Sequence, residues 1–352
     1  MQASEASPGY FGSDNMTPVH QAVMDAVLRA NTGAAFAYGA DHCTADAKRL
    51  ISELFETECE IHFVATGTAA NSLALSALAP PYGAIFCHPQ AHIVNDENTA
   101  PELYTGGARL VTVAGADGKP DIDHIRQRVN EVTHVGIHGL KPAALSLTNA
   151  TEAGTVYTPD ELREYAQLCA ELDLKLHVDG ARFANAVASL GASAADLSWK
   201  AGVDVLCFGA TKNGAMAAEA VIFFDPALAA DFEYRRKRGA QLWSKHRYLA
   251  AQFTGYLQDD LWLQLAAHAN AMAQRLAKGL TDIAGIRIPS PVQANEVFPI
   301  LPETVIRGLE RDGFVFYPWP VESGMIRLVT TYTTTIDEVD ALLTRARVHA
   351  GV

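Results

Sequence analysis

A mostly parallel α/β sheet followed by a smaller α+β unit is the architecture that this sequence predicts, on three observations. Six short apolar runs, at residues 61–65, 85–88, 108–114, 145–148, 174–178 and 203–208, are bounded by polar residues or glycine, and several are rich in β-branched side chains. Strands buried on both faces of a parallel sheet read in this way, without the polar alternation of a half-exposed strand. Between them stand segments with apolar residues at helical spacing, so strand and helix alternate along the chain. Finally, 352 residues, 49% hydrophobic and 19% charged, suffice for one large core and a second, smaller one. The expected division is residues 1–280, an N-terminal segment with the large domain, and residues 281–352, a small C-terminal α+β domain.

Taken in order, residues 1–12 are small and polar and are expected to lack order up to Ser13. Thr17 and Pro18 offer a capping hydroxyl and a first-turn proline, and Val19, Val23, Val27 and Leu28 form a stripe that should stop at Gly33. Residues 13–15 and 37–42 place polar groups outside regular structure, where sites usually lie. A second helix is expected from Thr44 through Phe55. After the strand at 61–65, Thr66-Gly67-Thr68 leads straight into an alanine- and leucine-rich helix. Such a turn exposes free N–H groups at the positive end of a helix dipole, a place for an anion. The strand at 85–88 runs into a loop carrying His92, while Asp121 and the run Thr158-Pro159-Asp160-Glu161 each open a helix. Beyond a strand at 218–224, the basic residues 232–245 read as a solvated helix face, and residues 249–280 as one long helix. The tail alternates strands (286–288, 296–301, 314–317, 325–329) with helices (304–312, 336–348). Arg327 lies within the last strand, and a charge among apolar neighbours needs a partner.

The formal charge of −13 and pI near 5.3 provide no positive field to gather nucleic acid or an anionic membrane. Five widely spaced cysteines form no CxxC pair, which suits reduced thiols better than a disulfide framework or a zinc site, and no metal is expected. No stretch approaches 18 uncharged apolar residues, and the N-terminus has neither a basic nor an apolar run, so the expected location is the cytoplasm.

The chemistry concentrates at residues 174–214. Asp179 follows one strand and Lys212 the next, and in an open α/β sheet the carboxyl ends of neighbouring strands line one crevice. A lysine set among Gly209, Ala210, Thr211, Asn213 and Gly214 can be kept dry enough for its amine to form a Schiff base. An aspartate some thirty residues earlier could hold a pyridinium proton, as pyridoxal phosphate (PLP) chemistry requires. Either residue alone reads equally well as a surface lysine or a helix cap. The pairing, with Arg182 three residues after the aspartate, points to the cofactor.

HVDGAR at 177–182, followed by FGATKNG at 208–214, resembles the large fold-type I group of PLP enzymes. Within that group it is similar to the threonine aldolases of the β-eliminating lyase branch, in particular the bacterial low-specificity L-threonine aldolases. The likeness continues through SDN at 13–15, AYGAD at 37–41, GTAAN at 67–71, AHIVNDE at 91–97 and IRLVT at 326–330, nearly the whole chain in the family's order. The resemblance implies that Lys212 carries the cofactor, Asp179 faces its ring nitrogen, Gly67 and Thr68 take its phosphate, and Thr211 adjoins it. It implies that His92 lies on the pyridine face. An imidazole titrates near neutrality, so His92 is also a candidate base, and His138 matches a family histidine that is a second candidate. Ser13 and Arg327 are implied at the substrate carboxylate, with Arg182 near it or near the cofactor's phenolic oxygen. Tyr38 and His42 lie on a loop that in the family reaches a neighbouring subunit's site, and Lys245 is a candidate for the partner's phosphate. A homodimer or homotetramer with shared sites follows. In one departure, TNATE at 148–152 stands where more distant members have an ENTHN-like run, and no role is given to Asn149 or Glu152.

The expected activity is retro-aldol cleavage of L-threonine, L-allo-threonine and related β-hydroxy amino acids such as phenylserine to glycine and an aldehyde. The rivals on the same scaffold are a β-eliminating lyase, a hydroxymethyltransferase-like enzyme and an aminotransferase. A dinucleotide enzyme is disfavoured because no GxGxxG follows any strand, and a DNA-binding regulator by the acidic charge.

Overall fold

The structure, a computed structural model, describes residues 8–351. Seven strands form the main sheet: β1 (Glu60–Val64), β2 (Gly83–Cys87), β3 (Arg109–Thr112), β4 (Lys141–Thr148), β5 (Lys175–Gly180), β6 (Val205–Gly209) and β7 (Glu219–Phe223). They lie in the order β1-β7-β6-β5-β4-β2-β3. The run from β3 to β6 is parallel, whereas β7 is antiparallel to both β6 and β1. The amino end of β7 therefore shares an edge with the carboxyl ends of β4, β5 and β6. Register places Thr148 opposite Asp179, Asp179 opposite Cys207, and Gly209 opposite Glu219.

The intervening helices are α1 (Gln21–Ala30), α2 (His42–Leu54), α3 (Gly67–Leu78), α4 (His92–Asn95), α5 (Ala100–Thr105), α6 (Ile122–Thr133), α7 (Pro159–Leu172), α8 (Phe183–Leu190), α9 (Phe232–Arg238), α10 (Arg247–Leu257) and α11 (Leu261–Thr281). A three-stranded sheet of β8 (Glu296–Val297), β9 (Tyr317–Pro318) and β10 (Ile326–Val329), ordered β8-β10-β9, packs with α12 (Glu303–Arg311) and α13 (Ile336–Ala350).

Within the large core, aromatic rings gather round the end of β6. Phe208 of β6 meets Phe55, Phe183, Phe253, Tyr256 and Trp262 with ring centroids 5.7 to 6.2 Å apart. Truncating a ring so enclosed costs about 3–5 kcal/mol. The second core joins β8, β10, α12 and α13 to Phe11 and to Met272, Leu276 and Leu280 of α11. One helix thus serves both cores.

Several local expectations are corrected. Residues 1–7 lie outside the described part, but order begins well before Ser13: Phe11 is buried, and its N–H donates to the Val315 carbonyl at 2.7 Å. The chain leaves a 3-10 turn, Asp14–Met16, in extended form at Thr17, the expected start of the first helix, so α1 begins only at Gln21, capped by His20, and is capped at its end by Asn31 rather than Gly33. The second helix starts at His42 because the Asp41 carboxylate accepts the Thr44 N–H at 2.9 Å. The expected long helix is broken at Gln258–Asp260, where Asp259 and Asp260 take left-handed φ values of 53° and 55°; aspartate tolerates this conformation, and an alanine-rich pattern hides it. The basic run is helical only to Arg238, and Arg236 is buried on a forked bond to Glu233 (2.8 and 3.0 Å) rather than solvated. In the tail the expected strand at 286–288 is a single bridge between Arg287 and Ile300. All five cysteines are free thiols, and among the described residues no helix is long and apolar enough to cross a membrane.

Candidate active site

A cavity of about 860 Å³ opens at the carboxyl edge of the sheet. Lys212 enters it on a 3-10 turn, Thr211–Asn213, directly after β6. The approach is tight: a side chain at Gly209 would meet Ala181 at 2.8 Å and Glu219 Oε2 at 2.9 Å. On the far side Gly214 has φ 106°, which an L side chain rarely adopts. Buried Asn213 donates to the Tyr256 hydroxyl and to the Trp262 carbonyl, both at 2.8 Å. The Thr211 hydroxyl accepts the Ala218 N–H at 3.1 Å. The lysine turn is therefore pinned to the aromatic floor on one side and to β7 on the other.

Asp179, at the end of β5, is buried and accepts the Ala181 N–H at 3.0 Å on one oxygen and Asn71 Nδ2 at 2.8 Å on the other. Asn71 also donates to Glu97 Oε1 at 2.8 Å, and that oxygen lies 2.9 Å from His92 Nδ1. The polar tips of His92, Glu97 and Asp179 lie within 4.8 Å of one another. Burial acts downward on His92, but the hydrogen bond with Glu97 and the field of Asp179 outweigh it, and the net shift is upward. Glu97 is also raised, by burial first and then by Asp179, against the pull of its two hydrogen bonds.

Two further carboxyl groups line the cavity. Burial pushes Glu152 up to about 7, reinforced by Asp179, although its Oε1 accepts the His92 N–H at 2.8 Å and the Thr148 hydroxyl at 2.9 Å. Glu219, at the start of β7, is likewise pushed by burial up to about 7, against the pull of Thr211 and Lys212. At the start of α3 Thr66 caps the helix by accepting the Ala69 N–H at 3.2 Å. Gly67 and Thr68, in the first turn, line the cavity, and no atom lies within 4 Å of a Cβ added at Gly67.

The cavity lining also carries two arginines. Arg182 binds Asp14 bidentately at 2.7 and 3.0 Å and lies 3.2 Å from Glu296, both carboxylates being buried. Asn295 Nδ2 reaches the same Asp14 at 3.2 Å. Burial works against the Asp14 anion, but Arg182 and Lys212 prevail and lower its pKa. Among the described residues Arg327 meets no such carboxylate. Its Nη2 donates to the Gly12 carbonyl at 3.1 Å, its Nε is buried without a hydrogen bond, and its guanidinium lies 5.1 Å from the Trp319 ring and 5.9 Å from that of Tyr317.

The family described as Beta-eliminating lyase matches residues 11–304. The chain is 46% identical over 341 residues to a low specificity L-threonine aldolase of Pseudomonas aeruginosa, covering 97% of this chain and 98% of the relative. A Pseudomonas sp. protein with the same description is 45% identical over 324 residues, covering 92% and 93%. The chain belongs to the β-eliminating lyase family. A solved threonine aldolase of Leishmania major superposes with a TM-score of 0.91 at 33% identity, covering 97% of this chain and all of that one.

With the β-eliminating lyase family established, the residues singled out from sequence divide into two groups. Lys212, Thr211, Asp179, Arg182, His92, Gly67, Thr68, Ser13 and Arg327 all line the one cavity. Tyr38, His42, Lys245 and His138 do not. Tyr38, His42 and Lys245 are exposed, with the Tyr38 N–H bonded to the Ser244 carbonyl at 3.0 Å and Lys237 5.0 Å from the Tyr38 ring. His138 is exposed on the turn before β4, at the opposite end of that strand from Thr148. Sequence reading passed over Asn71, Glu97, Glu152 and Glu219. Asn71 stands one helical turn after Gly67 and so on the same face of α3. Glu219 is a charge at the head of an apolar strand, the same signal that singled out Arg327.

Proposed function

We propose that this β-eliminating lyase family member is a PLP-dependent L-threonine aldolase of low specificity. It cleaves L-threonine, L-allo-threonine and related β-hydroxy amino acids such as phenylserine to glycine and an aldehyde. The observation that carries the reading is the convergence of Lys212 and Asp179 on one cavity that Arg327 also lines, with no carboxylate partner for Arg327 among the described residues. Full-length likeness to two bacterial aldolases supports it.

The residues fit the cofactor: Lys212 would hold it covalently, Asp179 would face its ring nitrogen, and Gly67 and Thr68 would take its phosphate. Thr211 and His92 would pack beside it. When bound, the cofactor supplies the electron sink that makes a Cα carbanion accessible. The protein's task is orientation. Arg327 and Ser13 bind the substrate carboxylate, Arg327 by charge-assisted hydrogen bonds from its guanidinium. Arg182, already committed to Asp14 and Glu296, holds the Ser13 turn in place and lends its remaining surface to the same wall. Fixing the carboxylate selects the Cα–Cβ bond for cleavage. His92 removes the β-hydroxyl proton; His138 would do so only for a neighbouring subunit. Tyr38, His42 and Lys245 would likewise serve a partner in a homodimer or homotetramer, and exposed Phe36, Tyr38, Tyr234 and Trp243 provide apolar surface for the contact. The cytoplasm is the proposed location.

The test is aldehyde release by the PLP-loaded protein from L-threonine, L-allo-threonine, D-threonine and L-phenylserine, with Lys212→Ala alongside and visible absorbance recorded for both. Aldehyde from the L isomers, with activity and the cofactor's visible band both lost in the variant, is expected. A band without aldehyde would transfer the protein to another reaction on this scaffold, and no band would overturn the reading.

A further inference from the structure

Behind His92 lies a carboxyl group to which the mechanism above gives no task. The Glu97 side chain is wholly shielded from solvent, while the His92 side chain is 37% exposed towards the cavity. Asn71 joins Glu97 to Asp179 by donating from one nitrogen to both at 2.8 Å. That amide cannot be turned round, because its oxygen would then confront two carboxyl groups. Glu97 Oε1 thus accepts from Asn71 and, 2.9 Å away, meets His92 Nδ1. Imidazole is a stronger base than carboxylate, so the proton shared between them rests on Nδ1. Among the described residues no protein group bonds Nε2 of His92. The backbone beneath the ring is held too, by the bond from His92 N–H to Glu152.

We propose that Glu97 is the positioning residue for His92: it keeps the Nδ1 hydrogen turned inward, and so presents the Nε2 lone pair to the substrate's β-hydroxyl. This rests on the aldolase reading. The hydroxyl proton moves to Nε2, the oxygen's electron pair becomes the second bond of the aldehyde carbonyl, and the Cα–Cβ pair stays with the glycine half, which later takes up a proton. The logic is that of a catalytic base oriented by a third group.

The groups facing His92 are Glu97 and Asn71 behind it, Asp179 from β5, Lys212 from the turn after β6 and Glu152 from the loop after β4. Asp96 lines the cavity beside it. Lys212 opposes the imidazolium, and Glu97 and Asp179 favour it. Replacing Glu97 by glutamine keeps the shape and an acceptor but removes the nearest charge; replacing it by leucine removes the acceptor as well.

The experiment is a pair of titrations on the full-length protein. In the cofactor-free form, histidine-selective NMR follows His92, identified by the resonance lost in His92→Asn. Its titration is expected to fall by about one unit or more in Glu97→Gln, the usual effect of losing an adjacent opposite charge. In the PLP-loaded form the acid limb of kcat/KM for L-threonine is expected to move to lower pH by the same amount. Glu97→Leu is expected to lower kcat by tenfold or more at every pH with little change in KM, whereas in a His92→Asn background neither Glu97 variant has a further effect. An unmoved His92 titration in Glu97→Gln overturns the proposal, as does a loss of activity that leaves the pH profile unchanged in shape. If the wild-type protein releases no aldehyde, the aldolase reading fails instead, and the NMR titration still decides whether Glu97 governs His92.

Discussion

Two arginines face the same cavity and are in opposite electrical circumstances. Arg182 is spent: Asp14 holds it bidentately and Glu296 flanks it. Arg327 lies against rings and one carbonyl, with a buried nitrogen still unpaired. Residue type alone makes them equivalent carboxylate binders, and their partners make one a strut and leave the other suited to the receptor's part proposed for it. The same wall thus has a part whose loss should be read in stability and a part whose loss should be read in substrate binding.

The largest effect should follow Arg182→Met. It leaves two buried carboxylates facing each other uncompensated, which costs about 3–5 kcal/mol, measured as the unfolding free energy of the cofactor-free protein in urea. Adding Asp14→Asn to that variant should recover part of the loss; no recovery would break the comparison. Next comes a contrast in pH. Glu219 titrates at about 7 in the folded protein, above its unfolded value, so between those two values the folded state holds a proton that the unfolded state has lost. Stability therefore falls as pH rises across that window, by about 3 kcal/mol at most. Asp14, lowered by Arg182 and Lys212, has the opposite sign: its contribution is present above the unfolded value and disappears as pH drops through the folded one. Thermal unfolding of Glu219→Gln should lose part of the decline between mildly acidic and neutral pH, the share of Glu152 remaining, and Asp14→Asn should weaken the acid-side dependence.

Arg327→Met should lower kcat/KM for L-threonine roughly ten- to hundredfold, mostly through KM, because one charge-assisted contact contributes about 1.5–3 kcal/mol, with the urea midpoint unmoved. If that midpoint fell as far as it does for Arg182→Met, the two residues would not differ in kind. The smallest effect belongs to Trp319→Leu. Removing one face of the guanidinium's aromatic contact is worth about 0.5–1 kcal/mol, seen as a two- to fivefold rise in KM.

The half of the site on the sheet was legible because it is local. A strand, its terminal aspartate and the next strand's lysine lie within about forty residues, and parallel topology brings their ends together. Arg327 was legible as a charge inside an apolar strand. Glu219 carried that signal as well, but nothing in the sequence says that β7 runs backwards and delivers its first residue to the crevice. The commitment of Arg182 was hidden because Asp14 and Glu296 are remote in sequence and no spacing rule links them. The break before α11 was hidden for another reason: periodicity reports which face is apolar, not whether two aspartates will turn left-handed.

The position of the Ser13 turn also orders the assembly of the molecule in time. Phe11 docks on Val315 and Val329, and the Gly12 carbonyl is held by Arg327, 315 residues away. Contacts of such separation form late, after the loops between them have closed. During synthesis from the amino end the lysine, the aspartate and the α3 turn can come together once β7 has emerged. The segment carrying Ser13 can meet Arg182 early through Asp14, but its contacts with Val315, Val329 and Arg327 must wait until the last strand leaves the ribosome. The half of the site proposed to bind the carboxylate is therefore completed last, so a nascent chain should acquire the proposed means to hold a cofactor before it acquires the means to hold an amino acid.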